Sequence, residues 1–562
     1  MNGLILMLIA VVVLGAGYLL YGRWLAKTWG VDPKAKTPAY ELRDGVDYEP
    51  ADTAVVFGHQ FASIAGAGPI NGPIQAAVFG WVPVFLWILI GGVFFGAVQD
   101  YSAMYASVKN KGRTIGYIIE EYIGKLGKKL FLLFCWLFCI LVVAAFSDIV
   151  AETFNGFTAD GGHIAANGSV AATSMLFILE AVALGLLLRF SRLNKWLNTL
   201  IAVVLLAAGV AAGLALPIFI PANAWHIIIF VYIMIASVVP VWALLQPRDY
   251  LNSYLLIFMI LGAVVGIAAT NPGVNLPAFT AFTVEGTGSM FPILFVTIAC
   301  GAVSGFHSLV SSGTASKQIK NEKHMLPVSF GAMLLESLLA VIALIAAASF
   351  ASGEAAAAGY ATPTQIFAGG VANFLTRLGL PHSVVFTLVN LAVSAFALTS
   401  LDSVARVGRL SFQELFLDAS IRDEGMEPWR RVVTDKYFAT VLTLILAFLL
   451  TKIGYKNIWP LFGSANQLLS VLALVACAVY MKKTSRRGWM LRIPMIVMLC
   501  VTLTALIQKI LSLIGAPTAG NLLQLAFAAA LFVLGVVVAF LGFRRLAGAP
   551  MQPGNADGKD RG

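Results

Sequence analysis

Residues 58–73 read GHQFASIAGAGPINGP, in the middle of an apolar stretch covering 54–79. A stretch of that length can cross a bilayer, which takes ~20 residues of helix. Yet Gly66, Gly68, Pro69, Gly72 and Pro73 fall near its centre, and glycine and proline are the residues that interrupt helices. A helix interrupted at membrane depth frees backbone N–H and C=O groups, which persist there only when buried in protein or facing a cavity. Half-helices of this kind can offer carbonyls to cations and N-termini to anions. The competing reading is a kinked helix with close glycine packing. Two prolines and four glycines exceed what a kink requires.

The rest of the chain supplies the setting. Of 562 residues, 59% are hydrophobic and only 11% charged. A soluble domain could not cover its surface with so few charges, and nearly uncharged apolar runs recur from end to end. With every backbone group needing an internal partner in lipid, these runs predict helices, and the period-two alternation of a β-barrel is absent. We count about fifteen spanning segments. The first run, from Asn2 to Tyr21, has no basic leader and no small-residue cleavage site, and reads as a retained helix. The net charge of +10 is distributed as alternating basic loops, not as a nucleic-acid-binding patch. Lys109, Lys111, Arg113, Lys317, Lys320, Lys323, Arg430, Arg431, Lys482 and Lys483 fall in loops of one parity, whereas 153–170, 218–223 and 271–288 carry no Lys or Arg. This pattern predicts an outside N-terminus and a cytoplasmic C-terminus. The five cysteines all lie in apolar runs and read as buried thiols.

A second interruption comes at SVVPVWALLQPRDY, residues 237–250, with Pro240 and Pro247 flanking Trp242 and Gln246. An odd number of segments separates it from the first, so the two units enter the membrane from opposite sides. The expected fold is all-α and polytopic, with a core of two five-helix inverted repeats, each opening on a discontinuous helix. That is the layout of LeuT-type transporters. The chain divides into an N-terminal helix and loop (1–53), the repeats (54–217 and 224–402), a cytoplasmic loop (403–433), C-terminal helices (434–545) and a disordered tail (546–562). Segment 114–125 predicts a surface amphipathic helix, and 354–378 a short external one.

Candidate functional residues follow from the interruptions and from charge at membrane depth. Substrate contacts are expected from His59, Gln60, Ser63, Gly66, Gly68, Pro69, Val239, Trp242, Gln246 and His307. GAVSGFHSLVSSGTASKQ (301–318) is expected to be one helix carrying a row of hydroxyls. Ser308, Ser311 and Ser312, with Ser63 and the carbonyl of Ala65, would form a hard oxygen site for a coupling ion, a proton or alternatively Na⁺. Interhelical hydrogen bonding is the competing reading. Ionisable groups in the bilayer are functional candidates by default. Asp100, Glu180, Arg248, Asp249 and Asp402 are candidates for gating or proton relay, with salt bridges at the inner face as the plainer reading for Asp100 and Asp402. Arg248 and Asp249 read as a gate or a structural pair. Glu336 and Asp148 are similar but nearer helix ends. A metal at His59, Asp100 or His307 stays open at this point, and WPLFGSANQLL (459–469) reads as packing or gating.

Several blocks carry a resemblance. GHQFASIAGAGPINGP, WILIGGVFFGAVQDY (87–101), LLQPRDYLNSYL (244–255), TIACGAVSGFHSLVSSGTASKQ (297–318), FALTSLDSVARVGRLSFQEL (396–415) and LFGSANQLL (461–469) strongly resemble the carbon starvation protein A family. The resemblance implies a bacterial inner-membrane protein of the amino acid–polyamine–cation superfamily, made in nutrient limitation and taking up peptides or pyruvate, the latter with protons. No G-x-S-x-G, H-E-x-x-H or Walker A pattern is present. The expectation is therefore a symporter without cofactor or enzymatic activity, its partners being the bilayer and a small solute. The alternative is a transporter-like sensor serving a partner kinase.

Overall fold

The computed structural model describes residues 2–44, 48–158, 160–190, 195–239, 245–417, 427–515 and 518–548. The chain is helical throughout, apart from a two-residue β-hairpin pairing Thr283–Val284 with Gly288–Ser289. In chain order the main helices are α1 (Gly3–Thr28), α2 (Thr53–Ile64), α3 (Gly68–Ala76), α4 (Trp81–Lys109), α5 (Ile115–Tyr122) and α6 (Lys125–Phe154). They continue with α7 (Ala165–Phe190), α8 (Lys195–Ala215), α9 (Ala222–Val238), α10 (Leu245–Thr270), α11 (Met290–Thr297), α12 (Gly305–Gly313) and α13 (Glu322–Ala348). The last six are α14 (Pro363–Thr376), α15 (His382–Phe416), α16 (Lys436–Thr451), α17 (Tyr455–Lys483), α18 (Trp489–Ile514) and α19 (Ala519–Ala547).

Among the described residues, ten helices are long and apolar enough to cross a membrane, judged by length and composition. These are α1, α4, α6, α7, α8, α13, α15, α17, α18 and α19, and they make the chain a multi-pass membrane protein. The apolar helices α9 and α16, and the stretch Tyr254–Thr270 of α10, are shorter. Two further stretches expected to span, 54–79 and 289–313, are each split into a pair of short helices. For 289–313 this corrects the sequence expectation of one helix: the chain leaves helical geometry between Thr297 and Gly305. The tail read as disordered from 546 starts within α19, and residues beyond 548 lie outside those described.

Burial sorts the helices into a core and a shell. The most apolar window of α17 is wholly buried, and those of α13 and α15 mostly so. The corresponding windows of α1 and α8 are mostly uncovered, with Val12, Leu20, Leu200 and Val204 on the outside. In water such a surface would be a large apolar patch; in a bilayer it is the lipid face. At the centre α6 packs along α15, and α17 lies against both α6 and α12.

Association of helices in lipid relies on close packing and hydrogen bonds, so small residues mark the contacts. A Cβ built on Gly96 would lie 2.3 Å from the carbonyl oxygen of Ala302. One on Gly305 would lie 2.4 Å from the carbonyl oxygen of Asn466. These glycines fix how near α4 and α17 approach the unwound 298–304 segment.

Two helices sit differently from their sequence reading. α5 begins at Thr114, whose hydroxyl accepts from the Tyr117 N–H, but it buries Ile115, Ile118 and Ile119 against α6 and α17. α14 has a capping box between Thr362 and Gln365 and is largely buried, lying on α3, α13 and α15. The Thr364 hydroxyl donates to Asn71 Oδ1 (3.1 Å), Thr362 and Thr153 share a 3.2 Å hydroxyl contact, and Gln365 Nε2 donates to Asn167 Oδ1 (2.8 Å). Of the cysteines, Cys135, Cys139 and Cys477 are buried; Cys500 is exposed, on the face of α18 turned away from the core.

Candidate functional site

The interruption at 65–67 meets a second unwound segment, residues 298–304, which is not the one at 237–250 that the sequence predicts; residues 240–244 of that stretch lie outside those described. α2 ends at Ile64; Ala65 turns out of helical geometry, and the Gly66 N–H bonds back to the Ile64 carbonyl at 2.8 Å. α3 restarts at Gly68 with Pro69 in its first turn, where a missing N–H costs nothing. A Cβ on Gly68 would fall 2.4 Å from Cys300 Sγ, and one on Gly72 2.6 Å from the Thr297 carbonyl oxygen. Only glycine lets the first interruption lie against the second.

The backbone freed by the second interruption is met by side chains of α17 and α4. Gln467 Nε2 donates to the Phe295 carbonyl (2.7 Å), Trp459 Nε1 to the Thr297 carbonyl (3.2 Å), and Gln99 Nε2 to the Ser304 carbonyl (2.9 Å). Asn466 Oδ1 accepts from the Phe306 N–H at 3.2 Å and lies beside the Ser304 hydroxyl. The 459–469 patch thus keeps an unwound segment satisfied. Replacing Asn466 with alanine is expected to cost about 1–3 kcal/mol by orphaning these groups. Thermal unfolding of the purified variant checks this, and no loss would mean that water replaces the amide.

Between the interruptions lies a narrow pocket with a free volume of about 20 Å³, room for about one water molecule. Ser63, Gly66, Gly68, Cys300, Ser304, His307, Ser400 and Asn466 supply its polar and small lining, and Phe138, Phe146, Phe306 and Phe462 its apolar walls. The N-termini of α3 and α12 both begin at this pocket, at Gly68 and Gly305. First-turn N–H groups have no partner within their own helix and carry partial positive charge. No lysine or arginine lines the pocket. Ser63 and Phe306 also line a second, larger cavity bounded by His59, Thr314, Lys317 and Glu414. The two cavities adjoin at Ser63 and Phe306.

Buried ionisable groups cluster beside the pocket. His307 Nδ1 is 3.0 Å from Asp100 Oδ2, and His307 Nε2 is 3.3 Å from Glu336 Oε2. All three side chains are fully buried. The second approach is close but misaligned for a hydrogen bond: His307 Nε2, both Glu336 oxygens and Asp100 Oδ1 have no hydrogen-bond partner. Among the described residues no group of three or more His, Cys, Asp or Glu is arranged to hold a metal ion.

The remaining expected residues divide by location. Ser63, Gly66, Gly68 and His307 line the pocket, while Ala65 and Pro69 belong to the interruption that forms it. His59 faces the larger cavity, with Nε2 3.3 Å from the Thr314 hydroxyl. Gln60 donates to Ser311 Oγ at 2.8 Å, joining α2 to α12. The Ser308 and Ser312 hydroxyls donate to the Gly305 and Ser308 carbonyls, and Ser312 Oγ accepts from the Ile115 N–H. The Ser63 hydroxyl donates to the His59 carbonyl. These hydroxyls are engaged with backbone. Glu180 lies apart from the cluster, packed on Gly209 of α8.

Arg248 is buried against Asp402 and the Tyr232 hydroxyl, which itself donates to Asp402 Oδ2 at 3.0 Å. Arg406 reaches past Asp402 to the Val239 carbonyl (2.7 Å), and Arg409 to the Ser237 carbonyl (3.0 Å), so both cap the C-terminus of α9. Val239 is therefore a capped helix end. Trp242 lies outside the described residues, as do the side chains of Gln246 and Asp249. Sequence reading missed His226, whose Nε2 is 2.7 Å from Asp148 Oδ1. Asp148 Oδ2 in turn accepts from the Tyr455 N–H. No local pattern links those positions.

The model of the family described as carbon starvation protein CstA matches residues 2–357 and 350–505. The peptide transporter CstA of Escherichia coli K12 is 32% identical, over 91% of this chain and 82% of its own length. The peptide transporter CstA of Bacillus subtilis is 32% identical over 87% of each chain. The pyruvate/proton symporter BtsT of E. coli K12 is 30% identical, over 88% of this chain and 80% of its own. The family's match runs through both interruptions, the buried cluster and the α17 patch: this chain belongs to the carbon starvation protein CstA family.

Proposed function

We propose that this protein is a proton-coupled symporter that imports small carboxylate-bearing nutrients, pyruvate or peptides, across the bacterial inner membrane when carbon is scarce. The carrying observation is that two half-helix N-termini converge on one pocket that no lysine or arginine lines. Backbone N–H groups at helix N-termini bind carboxylates without a fixed cation, and the four phenylalanine rings suit an apolar remainder. In this reading fifteen segments span the membrane, the repeats are 54–217 and 224–402, the N-terminus is outside and the basic face is cytoplasmic. The names of the relatives support the same solutes and, for BtsT, the proton.

The test is uptake of labelled pyruvate and of labelled di- and tripeptides into proteoliposomes. An inside-alkaline pH gradient is expected to drive concentrative uptake, and excess unlabelled pyruvate to compete. Accumulation under a Na⁺ gradient alone would replace the proton by Na⁺. Absence of uptake under either gradient would overturn the symporter reading.

A further inference from the structure

We propose that Asp100, His307 and Glu336 together are the site that carries the coupling proton. This rests on the symporter reading above and adds to it the residues that bind the ion. The three side chains come from α4, α12 and α13, fully buried, with the imidazole between two carboxyl groups.

The charge count is the first argument. Two carboxylates and one imidazolium sum to −1, and one further proton brings the cluster to neutrality. Net charge in a low-dielectric interior is expensive unless it is paired, so the proton-loaded cluster is the form the fold accommodates without a counter-ion. The Cys300 thiol of the unwound segment lies near Glu336 and supplies no positive charge.

The unused hydrogen-bonding capacity is the second argument. Buried polar atoms are almost always partnered in folded proteins. Here both Glu336 oxygens, Asp100 Oδ1 and His307 Nε2 are not. Four orphaned atoms in one cluster mark a place whose hydrogen count changes. In the form of charge −1 that has a neutral imidazole protonated at Nδ1, a proton on Glu336 needs only a small shift to become a donor to His307 Nε2. The imidazole can take it there and release another from Nδ1 to Asp100, so the proton moves along the cluster with no bond left unbalanced.

The third argument is coupling. His307 is the one member of the cluster that also lines the substrate pocket, and it stands in the first turn of α12. A carboxylate bound at that N-terminus lies beside the cluster. Its negative charge favours a proton there, and by linkage the proton favours the carboxylate to the same degree. Among the described residues, Ser63 and Phe306 alone stand in the linings of both this pocket and the larger cavity beside it.

Full-length protein carrying Glu336→Gln, Asp100→Asn or Glu336→Asp is tested in proteoliposomes with pyruvate. Each is assayed for pH-gradient-driven uptake, for pyruvate counterflow without a gradient, and for internal acidification accompanying pyruvate entry. Counterflow needs no net proton movement. For Glu336→Gln and Asp100→Asn, the ratio of driven uptake to counterflow is expected to fall at least tenfold, and acidification to disappear. Glu336→Asp, which keeps a titratable carboxyl, is expected to retain both. Uptake and counterflow falling together would indicate a structural role and overturn the proposal, as would wild-type acidification per pyruvate in both amide variants. Wild-type protein showing neither uptake nor counterflow of pyruvate would instead remove the symporter reading itself.

Discussion

Arg248→Ala is expected to lose about 3–5 kcal/mol of stability, because it leaves the Asp402 carboxylate buried without its cation. Both side chains are fully inaccessible, and the Tyr232 hydroxyl bridges them. The cost comes from the orphaned charge more than from the lost attraction. Replacing both partners with apolar residues of similar size, Arg248→Met with Asp402→Leu, is therefore expected to recover most of it. Thermal unfolding of the four proteins in a double-mutant cycle measures the coupling. A double variant no more stable than the single one would show that the pair is not the unit. Tyr232 is on α9, Arg248 on α10 and Asp402 on α15, so the pair ties three helices at one point.

Gly463→Ala is expected to be at least as damaging. The added Cβ would lie 1.9 Å from the carbonyl oxygen of Val296 and 2.9 Å from its carbon. That neighbour is backbone, and Gln467 already holds the next carbonyl along, Phe295. The clash is relieved only by moving α17 off α11, which takes Trp459 and Asn466 with it. Overpacking of a well-filled interior costs about 1–3 kcal/mol when side chains can yield, and here none can. The measurement is the yield of monodisperse folded protein on size exclusion, expected to fall sharply. Gly58→Ala, whose Cβ would meet nothing within 4 Å, is expected to leave the yield unchanged.

How much of this was legible in the sequence depended on the kind of signal. The first interruption was, because proline and glycine act locally: Pro69 and Pro73 sit where α3 begins and turns. The second was not. TIACGAVSG contains no proline and reads as an apolar run. Its unwinding depends on hydrogen bonds from Gln99, Trp459, Asn466 and Gln467, which are distant in sequence. The hydroxyls of 301–318 suggested a cation site because composition records their number, whereas their partners depend on which carbonyls the helix turns bring within reach. Charges at depth stood out one by one in the sequence, but their long-range partners did not. Arg248 and Asp402 are 154 positions apart, and Asp100 and His307 are 207. Their pairing is a property of helix packing, on which a single sequence is silent.

The contacts of α14 have a consequence for the cost of separating helices. Its ties to α3, α6 and α7 are bonds between uncharged groups, Thr364 to Asn71, Thr362 to Thr153 and Gln365 to Asn167. Each is worth about 0.5–1.5 kcal/mol net, since water can replace either partner. These bonds therefore add only a few kilocalories to the packing of α14 on α3, α13 and α15. The Arg248–Asp402 pair has no such substitute, because water cannot repay a separated buried ion pair. Breaking the polar ties of α14 therefore costs little, whereas breaking the ion pair costs several kilocalories.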